Sequence, residues 1–289
     1  MSVQRYTGAT TVDDAVAALA TGARPVAGGT DLVVGARSGK SRLPDSIVAI
    51  HRIAALRGVD SRDDGSLRLG SLASHREIAA SDDVCARFTA LADACAIVGS
   101  HATRAQGTIG GNVMNASPAM ETGGPLICFG AMATLQSPSG SRQVAVDELW
   151  TGPGATSAAA DELLVEIQLP APAHGTGSAY LRLEYRRQME IAVVGATAVV
   201  TLTGGTVTDA RIAITALSPT IRRVPEAEAA LIGSEAGAAA IEAAGAAVSA
   251  AATPISDVRG SAEYRRAMAA VIARRAIETA LERAGKGSA

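Results

Sequence analysis

The stretch Ser100–Glu121, SHATRAQGTIGGNVMNASPAME, constrains this chain more than any other. At its centre Gly110 and Gly111 stand side by side between Thr108-Ile109 and Asn112. Paired glycines let a backbone turn without side chains and let another molecule come close to the main chain. Thr108 and Asn112 add hydrogen-bonding groups on either side, and such a turn can aim several N–H groups at one anion, typically a phosphate. A second pair, Gly28-Gly29, follows Pro25-Val26-Ala27 and precedes Thr30-Asp31-Leu32. Leu32–Ala36 reads as the start of a helix, which puts this loop at a helix N-terminus, a ready site for an anion. Two such loops suit a ligand with two phosphates. Asp31 would repel that ligand, so it is expected to turn away and cap the helix or accept a hydroxyl.

A Gly-Gly pair alone is an ordinary turn former; among the chain's 30 glycines, Gly204-Gly205 reads as a simple hairpin turn. Neither loop matches G-x-x-x-x-G-K-[ST], and no G-x-G-x-x-G opens a helix, so neither a P-loop nor a Rossmann site is indicated. The net charge of −2 and the aromatic content of 2% give no case for nucleic acid, which needs basic surface and stacking platforms. Cys85, Cys95 and Cys128 form no C-x-x-C, so neither a disulfide framework nor a self-contained iron–sulfur cluster is expected. Cys85 and Cys95 read as buried structural thiols. The four histidines are scattered, which speaks against a metal site, and His75 reads as a solvent-facing or satisfied residue rather than a catalytic one. The N-terminus lacks the apolar core of a signal peptide, and no run approaches a membrane span, so a soluble cytoplasmic protein is expected.

Along the chain, Thr10-Thr11 and Asp13-Asp14 open a helix that Gly22 ends, and Arg24–Ala27 reads as a short buried strand. Ser46–Ile50 is a strand, and Asp64-Gly65 turns a hairpin between Gly58-Val59 and Leu67–Gly70. One long helix is expected over 83–98, and residues 107–112 are expected as a loop. Strands follow at 131–136, 143–146 and 163–169, the last stopped by Pro170 and Pro172. The small polar run 173–178 reads as a domain boundary. Beyond it come strands at 178–184, 193–203 and 207–217, then an alanine-rich helical region. The last helix is capped by Ser261, with Tyr264, Met268, Val271 and Ile272 as its inner stripe.

Three blocks, AGGTDL at 27–32, TIGGNVMNASPAME at 108–121 and RGSAEYRR at 259–266, carry a resemblance over nearly the whole chain. In their order and spacing the chain resembles the FAD-binding medium subunit of the molybdenum hydroxylases, the xanthine dehydrogenase and carbon monoxide dehydrogenase family. The resemblance implies an α/β plus α+β architecture. A two-lobed, vanillyl-alcohol-oxidase-like (PCMH-type) FAD-binding domain would cover 1–174, with lobes at about 1–57 and 58–174. A small C-terminal domain of antiparallel sheet plus helices would cover 175–289.

The resemblance also implies that Pro25, Val26, Ala27, Gly28, Gly29, Thr30, Asp31 and Leu32 run along the FAD diphosphate. Thr108, Ile109, Gly110, Gly111 and Asn112 would do the same. Glu121 stands where the family has an aspartate that contacts FAD. Leu164, in ELLVEI, matches a position near the flavin, and Arg182, in AYLRLEYRR, matches a usual lysine close to the isoalloxazine. Glu190 replaces another typical aspartate. A large subunit would carry molybdopterin, and a small subunit with two [2Fe-2S] clusters would pass electrons to this FAD. From there they would leave to NAD+, oxygen or a quinone, the whole forming a dimer of heterotrimers. No catalytic residue and no metal would then reside in this chain. Two other readings stay open: a stand-alone FAD oxidoreductase with its own substrate, and a redox-inactive scaffold subunit.

Overall fold

The computed structural model describes residues 3–286, so the outermost residues of the two expected domains lie outside it. The chain opens with β1 (Arg5–Gly8), α1 (Val12–Ala20), β2 (Arg24–Val26), α2 (Thr30–Arg37) and β3 (Ser46–Ala49). The three strands form a parallel sheet in the order β1-β3-β2. Thr11 caps α1 by accepting the Asp14 N–H, with Asp13 and Asp14 favourably placed in the first turn. The helix buries Ala15, Val16 and Leu19. One expectation changes here, and one strand was not foreseen. Arg24–Val26 is an edge strand rather than a buried one, and Arg24 and Pro25 are exposed; a residue without an N–H is tolerated at an edge. β1 has no signal in the sequence because all four of its residues are exposed.

The second unit is an antiparallel sheet built from β4 (Val59–Ser61), β5 (Leu67–Gly70), β6 (Met132–Ser137), β7 (Gly140–Ala145) and a later strand. A small ribbon follows, β8 (Trp150–Gly152) with β9 (Ala155–Thr156); β10 (Leu163–Leu169) then completes the order β4-β5-β10-β6-β7. Between β5 and β6 run α3 (His75–Ala79), α4 (Asp82–Arg87), α5 (Thr89–Ile97), α6 (His101–Gln106), α7 (Ile109–Asn115) and α8 (Gly123–Cys128). Ser74 and Glu77 form a capping box on α3. The expected single helix over 83–98 is broken at Phe88, which leaves helical geometry (φ −118°, ψ 47°). The break lets its ring enter the core edge-on to Phe129 at 5.0 Å, so the chain's two phenylalanines pack together. Cys85 then lies on the outer side of α4 and is exposed, contrary to expectation, while Cys95 is buried.

The third unit follows a one-turn helix, α9 (Val146–Leu149), and the β10 strand. It pairs β11 (Thr176–Leu183), β12 (Val194–Thr203), β13 (Thr206–Thr215) and β14 (Arg222–Arg223) in chain order, all antiparallel. α10 (Pro225–Leu231), α11 (Ala238–Ala251) and α12 (Ala262–Lys286) cover it. The abundant alanine has a purpose here. Ala269, Ala273, Ala276, Ala280 and Ala284 bring α12 so close to β11 that a Cβ at Gly177 would overlap the Ala280 carbonyl. Tyr264, expected on the inner stripe, is 41% exposed; Arg265 takes the inner position instead, donating to Asp257 and to the Val193 carbonyl. Among the contacts that join this unit to the preceding one, Thr89 Oγ1 donates to the Ser178 carbonyl at 2.6 Å, and Arg283 pairs with Asp93 at 2.6 Å.

Candidate functional site

The first glycine motif connects β2 to α2. Gly29 takes the left-handed conformation (φ 70°) as N-cap of α2, and no side chain caps the helix. Gly28 packs so tightly on the end of α6 that any Cβ would overlap the Gln106 carbonyl, while Gln106 Nε2 donates to the Gly28 carbonyl at 3.3 Å. The two motifs are therefore neighbours in space, as the sequence suggested. Among the described residues, the N–H groups of Gly28 through Leu32 have no hydrogen-bond partner. A run of unpaired N–H groups at a helix N-terminus is suited to an anion. Asp31 is exposed and caps nothing, and desolvation by the surrounding protein raises its carboxyl above the ordinary value.

The second motif is different from what the sequence suggested. Residues 109–115 are helical, with Thr108 as the N-cap. Its leading N–H groups are already bonded: Ile109 to the Ala73 carbonyl, Gly110 to the Ser71 carbonyl, Gly111 to Thr108 Oγ1 and Asn112 to the Thr108 carbonyl. These bonds anchor the turn to the segment after β5. Gly110 is needed for that anchoring, since a Cβ there would stand 2.6 Å from the Ser71 oxygen. Gly111 is exposed, and a Cβ on it would meet only Thr108 Oγ1, at 3.0 Å. Its bare edge and the half-exposed Asn112 are what the motif presents to the outside. Asn112 Oδ1 accepts the Thr122 hydroxyl at 2.6 Å.

The third group of residues lies where the chain enters α8. Glu121 is buried there, and Arg182, on β11, brings its Nη1 to 2.5 Å from Glu121 Oε1. Arg182 also donates through Nε to Glu184 at 2.6 Å and through Nη1 to the Glu190 carbonyl at 3.5 Å. The flat guanidinium fork suits such a double task, which a lysine ammonium would perform as a point charge. Burial pushes the Glu121 carboxyl up to about 7, against the pull of Arg182. Leu164 sits in β10 beside a bulge and is part of the core. Of the two places expected for His75, solvent-facing or satisfied, it takes the second: it is buried, its backbone N–H donates to the Gly107 carbonyl, its Nδ1 lies 3.7 Å from Cys95 Sγ, and burial holds its pKa down at about 4. It supports the second motif from beneath. Thr122 is the residue that sequence reasoning missed; nothing local signals a bond to a side chain ten positions upstream. Among the described residues, no group of acids, histidines and cysteines is placed to hold a metal, and no helix is long and apolar enough to cross a membrane.

Residues 1–172 match the family described as the FAD binding domain in molybdopterin dehydrogenase, and residues 178–280 match the CO dehydrogenase flavoprotein C-terminal domain. The chain belongs to the FAD-binding medium subunits of the molybdenum hydroxylases. The carbon monoxide dehydrogenase medium chain of Afipia carboxidovorans is 33% identical over 91% of this chain and 90% of its own. The xanthine dehydrogenase FAD-binding subunit of Escherichia coli is 30% identical over 97% of both chains. Among solved structures, a chain of the Hydrogenophaga pseudoflava carbon monoxide dehydrogenase superposes with a TM-score of 0.93, 33% identity and 98% coverage of both chains. As a medium subunit the protein is a flavoprotein of the molybdopterin-dependent oxidoreductases. Its two-lobed FAD-binding fold and antiparallel C-terminal domain are those of the family.

Proposed function

We propose that this chain holds FAD as the electron outlet of a molybdenum hydroxylase complex. The observation that carries the reading is the run of unpaired N–H groups from Gly28 to Leu32, locked against the second glycine motif by the Gly28–Gln106 contact. Those groups fit a diphosphate. Pro25, Val26 and Ala27 lead the chain into that loop, and Thr108, Ile109 and Gly110 fix the turn that presents Gly111 and Asn112 alongside. Glu121 and Arg182 form the charged end of the site toward the isoalloxazine, with Leu164 as packing. The residues present fit the cofactor, and when bound it supplies conversion between one-electron and two-electron transfer. The protein's own part is to bind, orient and set the local charge.

In this reading the chain oxidises no substrate. A large subunit carries molybdopterin, and a small subunit with two [2Fe-2S] clusters delivers electrons here, from which they pass to NAD+, oxygen or a quinone. A dimer of heterotrimers in the cytoplasm is the assembly this implies. Relatives of nearly equal identity are named for carbon monoxide and for xanthine, which supports a substrate pocket on another subunit. The division into 1–174, with lobes at about 1–57 and 58–174, and 175–289 is supported by the three larger sheets, each of which falls within one of these stretches.

The test is to co-express the chain with its partner subunits, release the chromophore and identify it. The expected result is one FAD per copy of this chain, bleached by substrate only when all three subunits are present and restored by one of the acceptors. A folded, colourless complex that takes up no added FAD would favour the scaffold reading instead.

A further inference from the structure

We propose that Thr122 is a positioning residue for the cofactor site: its hydroxyl holds the Asn112 carboxamide by its oxygen and leaves the NH2 group to meet the cofactor. The argument starts from satisfaction of a buried group. Thr122 is wholly buried, and its hydroxyl has one hydrogen-bond partner, Asn112 Oδ1 at 2.6 Å. A buried O–H that found no acceptor would be costly, and Asn112 is the acceptor within reach, so the hydroxyl donates and the amide oxygen is fixed as its receiver. That assigns the orientation of an otherwise ambiguous amide. The Asn112 NH2 group then points away from Thr122, and among the described residues no protein group accepts from it.

This matters because the leading backbone N–H groups of α7 are already bonded to Ala73, Ser71 and Thr108. The donor that the second motif still offers is the Asn112 side chain, on the helix turn that carries the bare edge of Gly111. Thr122 also follows Glu121 directly and starts α8, its carbonyl accepting the Leu126 N–H at 3.1 Å. One residue thus ties the amide donor to the segment that places the Glu121–Arg182 pair.

The inference rests on the FAD reading above, and its test separates the two. Thr122→Val, Thr122→Ser, Asn112→Ala and the double variant Thr122→Val/Asn112→Ala are made in the chain co-expressed with its partner subunits. FAD dissociation constants are measured by flavin fluorescence, with thermal unfolding of each flavin-free protein alongside. Thr122→Val is expected to weaken FAD binding about tenfold, the size of one lost hydrogen bond. Thr122→Ser should restore binding, and Thr122→Val should add little to Asn112→Ala, since residues acting through one another are non-additive. Unchanged binding by Thr122→Val, equal losses in the valine and serine variants, or a full additional loss on the Asn112→Ala background would each overturn the role of Thr122 while leaving the FAD reading intact. A wild-type complex that binds no FAD would overturn both.

Discussion

Arg182 reaches across 61 residues of sequence to Glu121, and the same guanidinium donates to Glu184. One cation therefore faces two carboxylates, of which Glu121 is the more deeply buried, with 8% of its side chain exposed against 27% for Glu184. Taking a carboxylate out of water costs more than this shared guanidinium returns, which is why burial dominates the Glu121 titration.

A pH dependence follows. Glu121 titrates at about 7 in the folded chain against an ordinary value of 4.5. Between those values the unfolded chain releases a proton that the folded chain keeps, so this group's contribution is full below about pH 4.5 and is lost as the pH rises to about 7. Glu121→Gln removes the titration and keeps an acceptor for Arg182. Urea unfolding from pH 5 to 8 should show the variant gaining on the wild type through this window, by up to about 3 kcal/mol. Parallel curves would mean that Glu121 is ionised throughout.

Gly28 and Gly111 are expected to answer differently to substitution. Gly28→Ala forces a Cβ into the Gln106 carbonyl and should cost about 3 kcal/mol, read as a fall in the thermal midpoint. Gly111→Val meets only a side-chain oxygen, so the fold should survive while FAD retention is lost to the branched side chain. Normal flavin content in a folded Gly111→Val protein would take Gly111 out of the site.

Arg182→Ala leaves Glu121 buried without its cation and should destabilise the chain by about 3 kcal/mol. In the flavin-loaded complex it should lower the flavin reduction potential more than it lowers FAD content, because added negative charge loses a nearby cation. Spectroelectrochemical titration reads this directly, and an unchanged potential would place Arg182 away from the flavin.

The three thiols should differ sharply in reactivity. Cys85 is exposed, whereas burial raises Cys95 and Cys128 far above the ordinary thiol value and denies reagent access. A disulfide-exchange reagent should titrate Cys85 in the native chain and the other two only after unfolding. Rapid reaction of Cys95 would contradict the packing around His75.

The place of the first glycine motif was legible because the residues after it read as a helix, which puts the loop at a helix N-terminus; that Gly28 has no room for a Cβ was not, since the carbonyl in its way belongs to Gln106. The helical form of the second motif was hidden, since Gly-Gly is a poor helix former and the bonds that stabilise it come from Ala73 and Ser71, remote in sequence. β1 was invisible because exposed side chains leave no pattern, and the kink at Phe88 answers to Phe129 rather than to any neighbour in the chain. Glu121 and Arg182 were each visible as departures from a family pattern. That they meet was not, because the contact depends on how the third unit's sheet packs against α8.

Both glycine motifs fall within residues 1–172, whereas Arg182 stands on the first strand of the segment matched over 178–280. The Thr89–Ser178 and Asp93–Arg283 contacts hold that strand in place. In the proposed reading the cofactor site is thus shared between the two matched segments. A recombinant that took one half from a distant cousin would inherit both glycine turns intact and still lose the register between guanidinium and carboxylate. The two halves have to descend together.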